Sequence, residues 1–374
     1  MADFRPPRRI LIVRPSALGD VCRTVPVLAS LRRAYPQARI DWVVRDTFAA
    51  AIAAHPALNE VIPFPRSRFA RWWRNPAALG EMLRWFWDLR RRQYELVLDC
   101  QGLGRSGLIS FLAAARRRVG YRQARELAWL GYNVRHPAHP ERHTVDQMLS
   151  LLRGEGIEPV HDMRLYVARD DRDWWAHRQR QLGLAGLRYA VLAPTARWPS
   201  KRWPIQRWRQ LARPLLDRGH QRLVVVGGPD ESRQVEDLVD PASEAASAIV
   251  DLVGRTTIGQ TMAVIAEADL VIANDSAPLH VAVGFDRPCV ALFGPTDPAL
   301  VGPYRRPEAV VRKYEPQPGE TINYRDGKRG DELMRLISVE DVLERVDAVL
   351  AGSDGGRRPG RGSATPPALE ETTT

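Results

Sequence analysis

At 374 residues the chain exceeds what one hydrophobic core usually fills, so two domains are expected. Its 44% hydrophobic and 26% charged content excludes a chain disordered throughout. No apolar run is long enough to span a bilayer as a helix, and the net charge of +11 directs attention to anionic partners. The start, MADFRPPRR, lacks the apolar core of a signal peptide, and Cys22, Cys100 and Cys289 show no metal-type spacing. They read as reduced thiols of a cytoplasmic protein.

Residues 9–14 read as a first buried strand running into Pro15-Ser16-Ala17-Leu18-Gly19-Asp20. Gly19 permits close backbone approach there, and Asp20 stands at or near the start of a helix expected over 21–34. Strands follow over 39–44 and 60–64. The next segment, 66–92, holds eight arginines against Glu81 and Asp88, and four of the eleven tryptophans. After Pro76, the spacing places Leu79, Met82, Leu83, Phe86 and Leu89 on one helical face, flanked by Trp85 and Trp87. Two readings stand: a helix packed on its own domain, or one lying in a membrane interface with arginines near anionic headgroups.

A strand over 95–99 ends in Cys100-Gln101-Gly102-Leu103-Gly104, glycines that suit a tight turn in any α/β protein. A strand over 117–121 follows, and Arg125-Glu126 opens a helical stretch. His136, His139 and His143 lie close in sequence without a carboxylate-rich pattern, so they read as surface or acceptor-side groups rather than metal ligands. The interdomain connection is expected near the charged helix over 169–182 and the Gly183–Gly186 break, giving domains 1–167 and 168–350.

The second half repeats the alternation: strands over 189–193, 222–226 and 248–252, helices over 204–218, 230–239 and 258–268. Strands over 270–273 and 289–293 follow, each ending in small and polar residues, Asn274-Asp275-Ser276 and Gly294-Pro295-Thr296-Asp297. A last helix covers 337–350, and the Gly/Pro/Ser/Thr-rich end, 351–374, reads as disordered. Such alternation argues for two doubly wound sheets facing a cleft. Ligands bind at the carboxyl ends of strands in such sheets, where helix N-termini offer N–H groups to phosphate. Residues 267–304 therefore read as an anion or nucleotide cradle, against the plainer reading of two strand–helix connections with routine caps.

ILIVRPSALGDV, LVLDCQGLGRSG, AREL at 124–127, PSKRWP at 199–204, DSAPLH and FGPTDP occur in one order between about residues 9 and 350. In that order they resemble glycosyltransferase family 9, which contains the lipopolysaccharide heptosyltransferases. VIPFPRSRFAR, AREL with its downstream His143, and GPTDPALVGPY are most similar to the branch that adds the first heptose to Kdo. The chain departs from the family in carrying Ala277 where Gly is usual, and one extra residue between Thr195 and Lys201.

The resemblance implies an α/β fold of GT-B architecture: two Rossmann-like doubly wound domains facing a central cleft. It implies an inverting, metal-independent enzyme without a cofactor, using ADP-heptose and a Kdo-lipid A-type acceptor. It also implies a cytoplasmic protein, peripheral at the inner membrane's cytoplasmic face, with no nucleic-acid partner. By motif position, Asp20 is the expected base and Lys201 the partner of the departing diphosphate, with Thr195 donating to phosphate. Glu231 matches a ribose-binding carboxylate; Asp275, Ser276, Ala277, Pro278, Leu279 and His280 match the diphosphate–sugar segment. Ser16, Arg68, Arg71 and Arg125 match acceptor contacts. Competing readings are an N-cap for Asp20, a first-turn glutamate favoured by the helix dipole for Glu231, a relative with another nucleotide sugar or acceptor, and a non-catalytic basic protein binding membrane or nucleic acid.

Overall fold

Runs such as Ile10-Leu11-Ile12-Val13 and Leu270-Val271-Ile272-Ala273 are apolar on both faces of a strand, which suits a parallel sheet covered by helices on both sides. All eight side chains are fully buried. The computed structural model describes residues 5–139, 142–242, 245–317, 320 and 322–354, and the chain divides into two units, Met1–Met163 and Arg164–Thr374.

In the first unit, β1 (Arg9–Val13), β2 (Arg39–Arg45), β3 (Glu60–Phe64), β4 (Leu96–Asp99), β5 (Arg117–Tyr121) and β6 (Val134–His136) form one sheet. Their order is β3-β2-β1-β4-β5-β6, every pair parallel. The second unit repeats this with β7 (Tyr189–Ala193), β8 (Arg222–Val225), β9 (Ile249–Asp251), β10 (Leu270–Asn274), β11 (Cys289–Leu292) and β12 (Val310–Val311). Its order, β12-β11-β10-β7-β8-β9, is again wholly parallel. Strand order reverses between β1 and β4 in one unit and between β7 and β10 in the other. These are doubly wound α/β sheets, as the alternation of strands and helices implies.

Several elements differ from expectation. The helix over 21–34 is two helices, Leu18–Arg23 and Val25–Ala34, broken at Thr24 just before Pro26, which has no N–H to donate. Asp20 consequently lies inside a first turn rather than at a cap. Residues 230–239 form only the 3-10 turn Ser232–Gln234; Val235 and Leu238 are buried without a helix to carry them. The stretch opened at Arg125 is the 3-10 turn Ala128–Gly131, because Glu126 and Leu127 adopt left-handed φ of 53° and 58°. The helix Val339–Asp354 enters the supposed tail, whose remainder, 355–374, lies outside the described residues.

The helix Pro76–Arg91 is capped by Asn75, whose Oδ1 accepts from the N–H groups of Ala77 (3.0 Å) and Ala78 (3.3 Å). Its inward face is Ala78, Met82, Trp85, Phe86 and Leu89, so Trp85 packs inside where Leu83 was expected. Trp85 donates Nε1–H to the Pro63 carbonyl at 2.9 Å and meets the Phe64 ring edge-on at 5.3 Å. Leu83 and Trp87, one turn apart, face outward.

The helix Gly327–Met334 presses Gly330 onto the Pro199–Lys201 turn, where an added Cβ would lie 2.5 Å from the Ser200 carbonyl oxygen. At Gly80, half-buried in the helix Pro76–Arg91, an added Cβ would meet nothing within 4 Å. Gly80→Ala should raise stability by about 0.5–1 kcal/mol. Gly330→Ala should lower it by about 1–3 kcal/mol through overpacking. Denaturant midpoints of the two variants check this, and shifts of the same sign would refute it.

Candidate active site

In the second unit, the two central strands end side by side and Asn274 fastens their loops together. This fully buried side chain donates Nδ2–H to the Pro194 carbonyl at 2.6 Å and accepts the Trp203 N–H at 3.2 Å. The next residue, Asp275, receives two donors on one oxygen: Lys201 Nζ at 2.5 Å and Thr296 Oγ1 at 2.8 Å. The Lys201 and Asp275 side chains are 16% and 8% exposed, dry enough for the ion pair to hold the ammonium in place. The Tyr324 ring lies 5.4 Å from Lys201 Nζ and meets Trp198 edge-on at 5.8 Å.

The helix Ala277–Gly284 starts here with fewer free donors than a helix N-terminus usually offers. Pro278 has no N–H, and the Leu279 N–H already donates to the Ser276 carbonyl at 3.2 Å. The Ser276 hydroxyl makes no cap bond, and it is buried without a hydrogen-bond partner among the described residues. Ala277 and Pro278 are half-buried, whereas the Leu279 and His280 side chains are buried. Thr195 is buried at the end of β7, close against Gly227. Glu231 turns back to accept the Gly228 N–H at 2.7 Å, so it stabilises its own turn rather than a helix's first turn. A cavity of about 430 Å³ opens among Pro194, Arg202, Trp203, Gln206, Arg233 and Gln234, beside the loop that joins Thr195 to Lys201.

The first unit has a matching arrangement at the ends of β1 and β4. Arg14 donates to the Cys100 carbonyl, tying the two loops together, and its Nη2 lies 3.0 Å from Asp20 Oδ2. Asp20 Oδ1 pairs with Arg23, and Asp20 Oδ2 also accepts the Ala17 N–H at 3.2 Å. Burial alone would raise the Asp20 pKa. The charges of Arg14 and Arg23, with the Ala17 N–H, overcome it and hold the carboxyl well below the usual carboxylate range. Asp20 is therefore ionised at every physiological pH, oriented by three donors, and a weak proton acceptor.

Ser16 joins this loop pair through Gln101: its N–H donates to Gln101 Oε1 at 3.3 Å. Arg125 is exposed, and its N–H donates to the Gly102 carbonyl at 3.0 Å. Beneath them, Asp99 accepts the N–H groups of Gln101 (2.8 Å) and Gly102 (3.0 Å) and the Tyr132 hydroxyl (2.6 Å). Arg68 and Arg71 are exposed too, but they follow β3 at the sheet's edge, and Arg68 pairs with Glu81 at 3.1 Å. Of the histidines, His136 bonds Glu155 at 2.6 Å and His143 caps the helix Thr144–Gly154. Among the described residues no group of three or more His, Cys, Asp or Glu is placed to hold a metal.

Sequence reasoning missed Arg14, Arg23, Thr296 and Tyr324. Arg14 directly follows an apolar run and Thr296 lies inside the FGPTDP motif, so both carried a signal. Tyr324 carried none, because a loop distant in sequence brings it to Lys201.

The family model for glycosyltransferase family 9 (heptosyltransferase) matches residues 82–327. Lipopolysaccharide heptosyltransferase 1 of Escherichia coli strain K12 is 30% identical over 308 residues, covering 81% of this chain and 93% of that protein. Lipopolysaccharide heptosyltransferase 2 of the same strain is 27% identical over 366 residues, covering 91% and 98%. The solved structure of the E. coli heptosyltransferase WaaC with ADP matches with a TM-score of 0.72 at 26% identity, over 91% of this chain and 99% of that one. The likeness shows a shared GT-B fold.

Replacing Asp20 by Asn would leave Arg14 and Arg23, with side chains 8% and 9% exposed, facing a neutral group. The expected loss of stability at pH 7 is about 2–3 kcal/mol, below the figure for a fully buried pair because Asp20 is 24% exposed. The folded pKa lies below the unfolded value of about 3.9, so the contribution is complete above that value and fades as pH falls towards the folded one. Denaturant unfolding of wild type and Asp20→Asn should give curves that converge only below about pH 4. A gap unchanged from pH 7 to pH 3 would refute the pairing.

Proposed function

The chain belongs to glycosyltransferase family 9, the heptosyltransferase family, and is a glycosyltransferase; we propose that it moves heptose from ADP-heptose to the Kdo inner core of lipopolysaccharide, with inversion and without a metal. The observation that carries this reading is the Lys201–Asp275–Thr296 cluster at the carboxyl ends of β7 and β10. An ammonium held at a strand-order reversal, beside a helix start, suits a departing diphosphate. The sequence likeness of VIPFPRSRFAR, AREL and GPTDPALVGPY to the first-heptose branch favours Kdo as acceptor.

On this reading, domain 1–167 takes the acceptor and domain 168–350 the donor. Lys201 and Thr195 meet the diphosphate, Glu231 the ribose, and Asp275 to His280 the phosphate and sugar, mainly through backbone. The acceptor hydroxyl attacks the anomeric carbon, the bond to ADP breaks with its electron pair, and Asp20 takes the acceptor's proton. A carboxylate with so low a pKa is a weak base. That suffices where the transition state is oxocarbenium-like and the proton leaves late, once the attacking oxygen has become acidic. Ser16 and Arg125, whose backbones are tied to Gln101 and Gly102 after β4, meet the acidic sugar on this reading, together with Arg68 and Arg71. A lipid-linked acceptor places the enzyme at the cytoplasmic face of the inner membrane.

Purified protein given ADP-heptose and Kdo-lipid A should release ADP and form a heptosylated product, with EDTA leaving the rate unchanged. Turnover with UDP-sugars instead, or activity lost to EDTA and restored by Mg²⁺, would overturn the donor or the metal-free chemistry. Lys201→Ala should weaken ADP binding by about 10–100-fold in calorimetry. It removes a charge-assisted contact and leaves Asp275 facing the diphosphate without its cation. Unchanged ADP affinity would remove Lys201 from the site.

A further inference from the structure

Large apolar side chains left in water are scattered on most proteins, and here they are not. Of the ten that are exposed among the described residues, eight fall between Trp72 and Leu130: Trp72, Trp73, Leu83, Trp87, Leu108, Phe111, Leu127 and Leu130. They come from three successive pieces of the first unit: residues 66–91, the helix Gly104–Leu112, and the turn Ala128–Gly131 with Leu127 just before it. Sequence reading had marked only the first of these.

The pieces adjoin one another. The helices Pro76–Arg91 and Gly104–Leu112 cover the same sheet face, with Leu89 and Ile109 in one core cluster with Leu11, Val13 and Val97. Gly107 is seated on Ala128, where an added Cβ would lie 2.5 Å from the Ala128 carbonyl oxygen, and the Gly104 N–H donates to Glu126 at 3.1 Å. The short helix Arg66–Phe69 joins them through Phe69, which shares the cluster of Leu89 and Ile109 and meets the Trp85 ring edge-on at 6.1 Å. Outward residues recur one turn apart: Leu83, Trp87 and Arg91 on one helix, Arg105, Leu108 and Phe111 on the other.

Arginines fill the spaces between. Residues 66–131 hold fourteen arginines against five acidic residues. Two arginines stack on exposed rings, Arg74 at 4.1 Å from the Trp73 centroid and Arg91 at 4.3 Å from that of Trp87. A guanidinium lying over a tryptophan whose other face is exposed puts charge and apolar surface at one depth, as an interface between headgroups and acyl chains requires.

We propose that this three-element surface docks the protein on an anionic lipid bilayer. The proposal deepens the reading of a lipid-linked acceptor by naming the surface that meets the lipid. A second copy of the chain fits worse, since a two-fold contact through this face would set arginine against arginine. Nucleic acid also fits worse, because Leu83, Leu108, Leu127 and Leu130 offer no ring for base stacking.

The test uses the full chain and co-sedimentation with vesicles of phosphatidylcholine, with and without phosphatidylglycerol. Wild type should bind the anionic vesicles in preference, less as salt rises. Leu108→Ser/Phe111→Ser, at positions outside the catalytic loops, should bind them about tenfold or more weakly while keeping wild-type turnover of a delipidated, water-soluble Kdo acceptor. Equal binding to neutral and anionic vesicles, or full binding by the double variant, would overturn the proposal. So would a wild-type dimer that the variant converts to monomer with no vesicle binding in either, or wild-type binding to single-stranded DNA but not to vesicles. Vesicle binding by a protein that does not use ADP-heptose would leave the surface standing and remove the proposed function.

Discussion

In a parallel sheet, right-handed crossovers send the chain over one face before the strand order reverses and over the other face after it. The loops leaving the two strands at that reversal therefore part, and the polar groups they carry are left without a neighbouring loop to cover them. Both units obey this constraint, at β1 and β4 and at β7 and β10. Each closes the gap with one buried polar side chain: Arg14 to the Cys100 carbonyl in the first unit, and Asn274 to the Pro194 carbonyl in the second. These bonds hold the loops at a fixed separation, and the carboxylates that follow, Asp20 and Asp275, inherit their positions from them.

The two carboxylates are placed alike and used differently. Asp275 accepts one ammonium and one hydroxyl, and it fixes Lys201 as much as Lys201 fixes it. A lysine free in solvent would spend rotamer entropy whenever it met an anion; one already immobilised has met most of that cost in folding. Asp20, with two guanidiniums, is bound more strongly than a proton acceptor needs. Measured against apolar side chains of similar volume, buried ion pairs contribute little net stability, since desolvation offsets attraction, although removing one partner alone is costly. What they supply is orientation and a permanent negative charge. The pairing therefore fits a role in which the carboxylate's direction matters more than its basicity.

The strands were legible because both their faces are buried, so that runs such as Tyr189 to Ala193 are apolar throughout. The helix over 230–239 was misread because Val235 and Leu238 have helical spacing, yet they are buried by tertiary packing around a turn. In the helix Pro76–Arg91, helical spacing put Leu83 on the core stripe and Trp85 at its flank. The decisive facts were non-local: Trp85 found both a carbonyl for its N–H and a ring edge in Phe64. The motifs put Asp20, Lys201 and Asp275 in or beside loops that leave the central strands, and the structure has them there. The partners that set their chemistry, Arg14 and Arg23 around Asp20 and Thr296 and Tyr324 around Lys201, depend on which loops meet. Periodicity carries no record of that.

Charge distribution links the two ends of the problem. The +11 excess looks like a general property of the chain, yet two groups of arginines in the first unit stand at opposite extremes of burial. Arg14 and Arg23 are buried against one carboxylate, where their effect is local and screening by salt is slight. Arg68, Arg71, Arg74, Arg84, Arg90 and Arg91 are exposed, and only their summed field is felt at a distance. On the proposed function, an acidic sugar on a lipid would meet both sets in turn: first a field that draws in the anionic surface bearing it, then the fixed groups around Asp20. The first step tolerates substitution of any single arginine. The second does not, because Arg14 both closes the loop gap and holds Asp20.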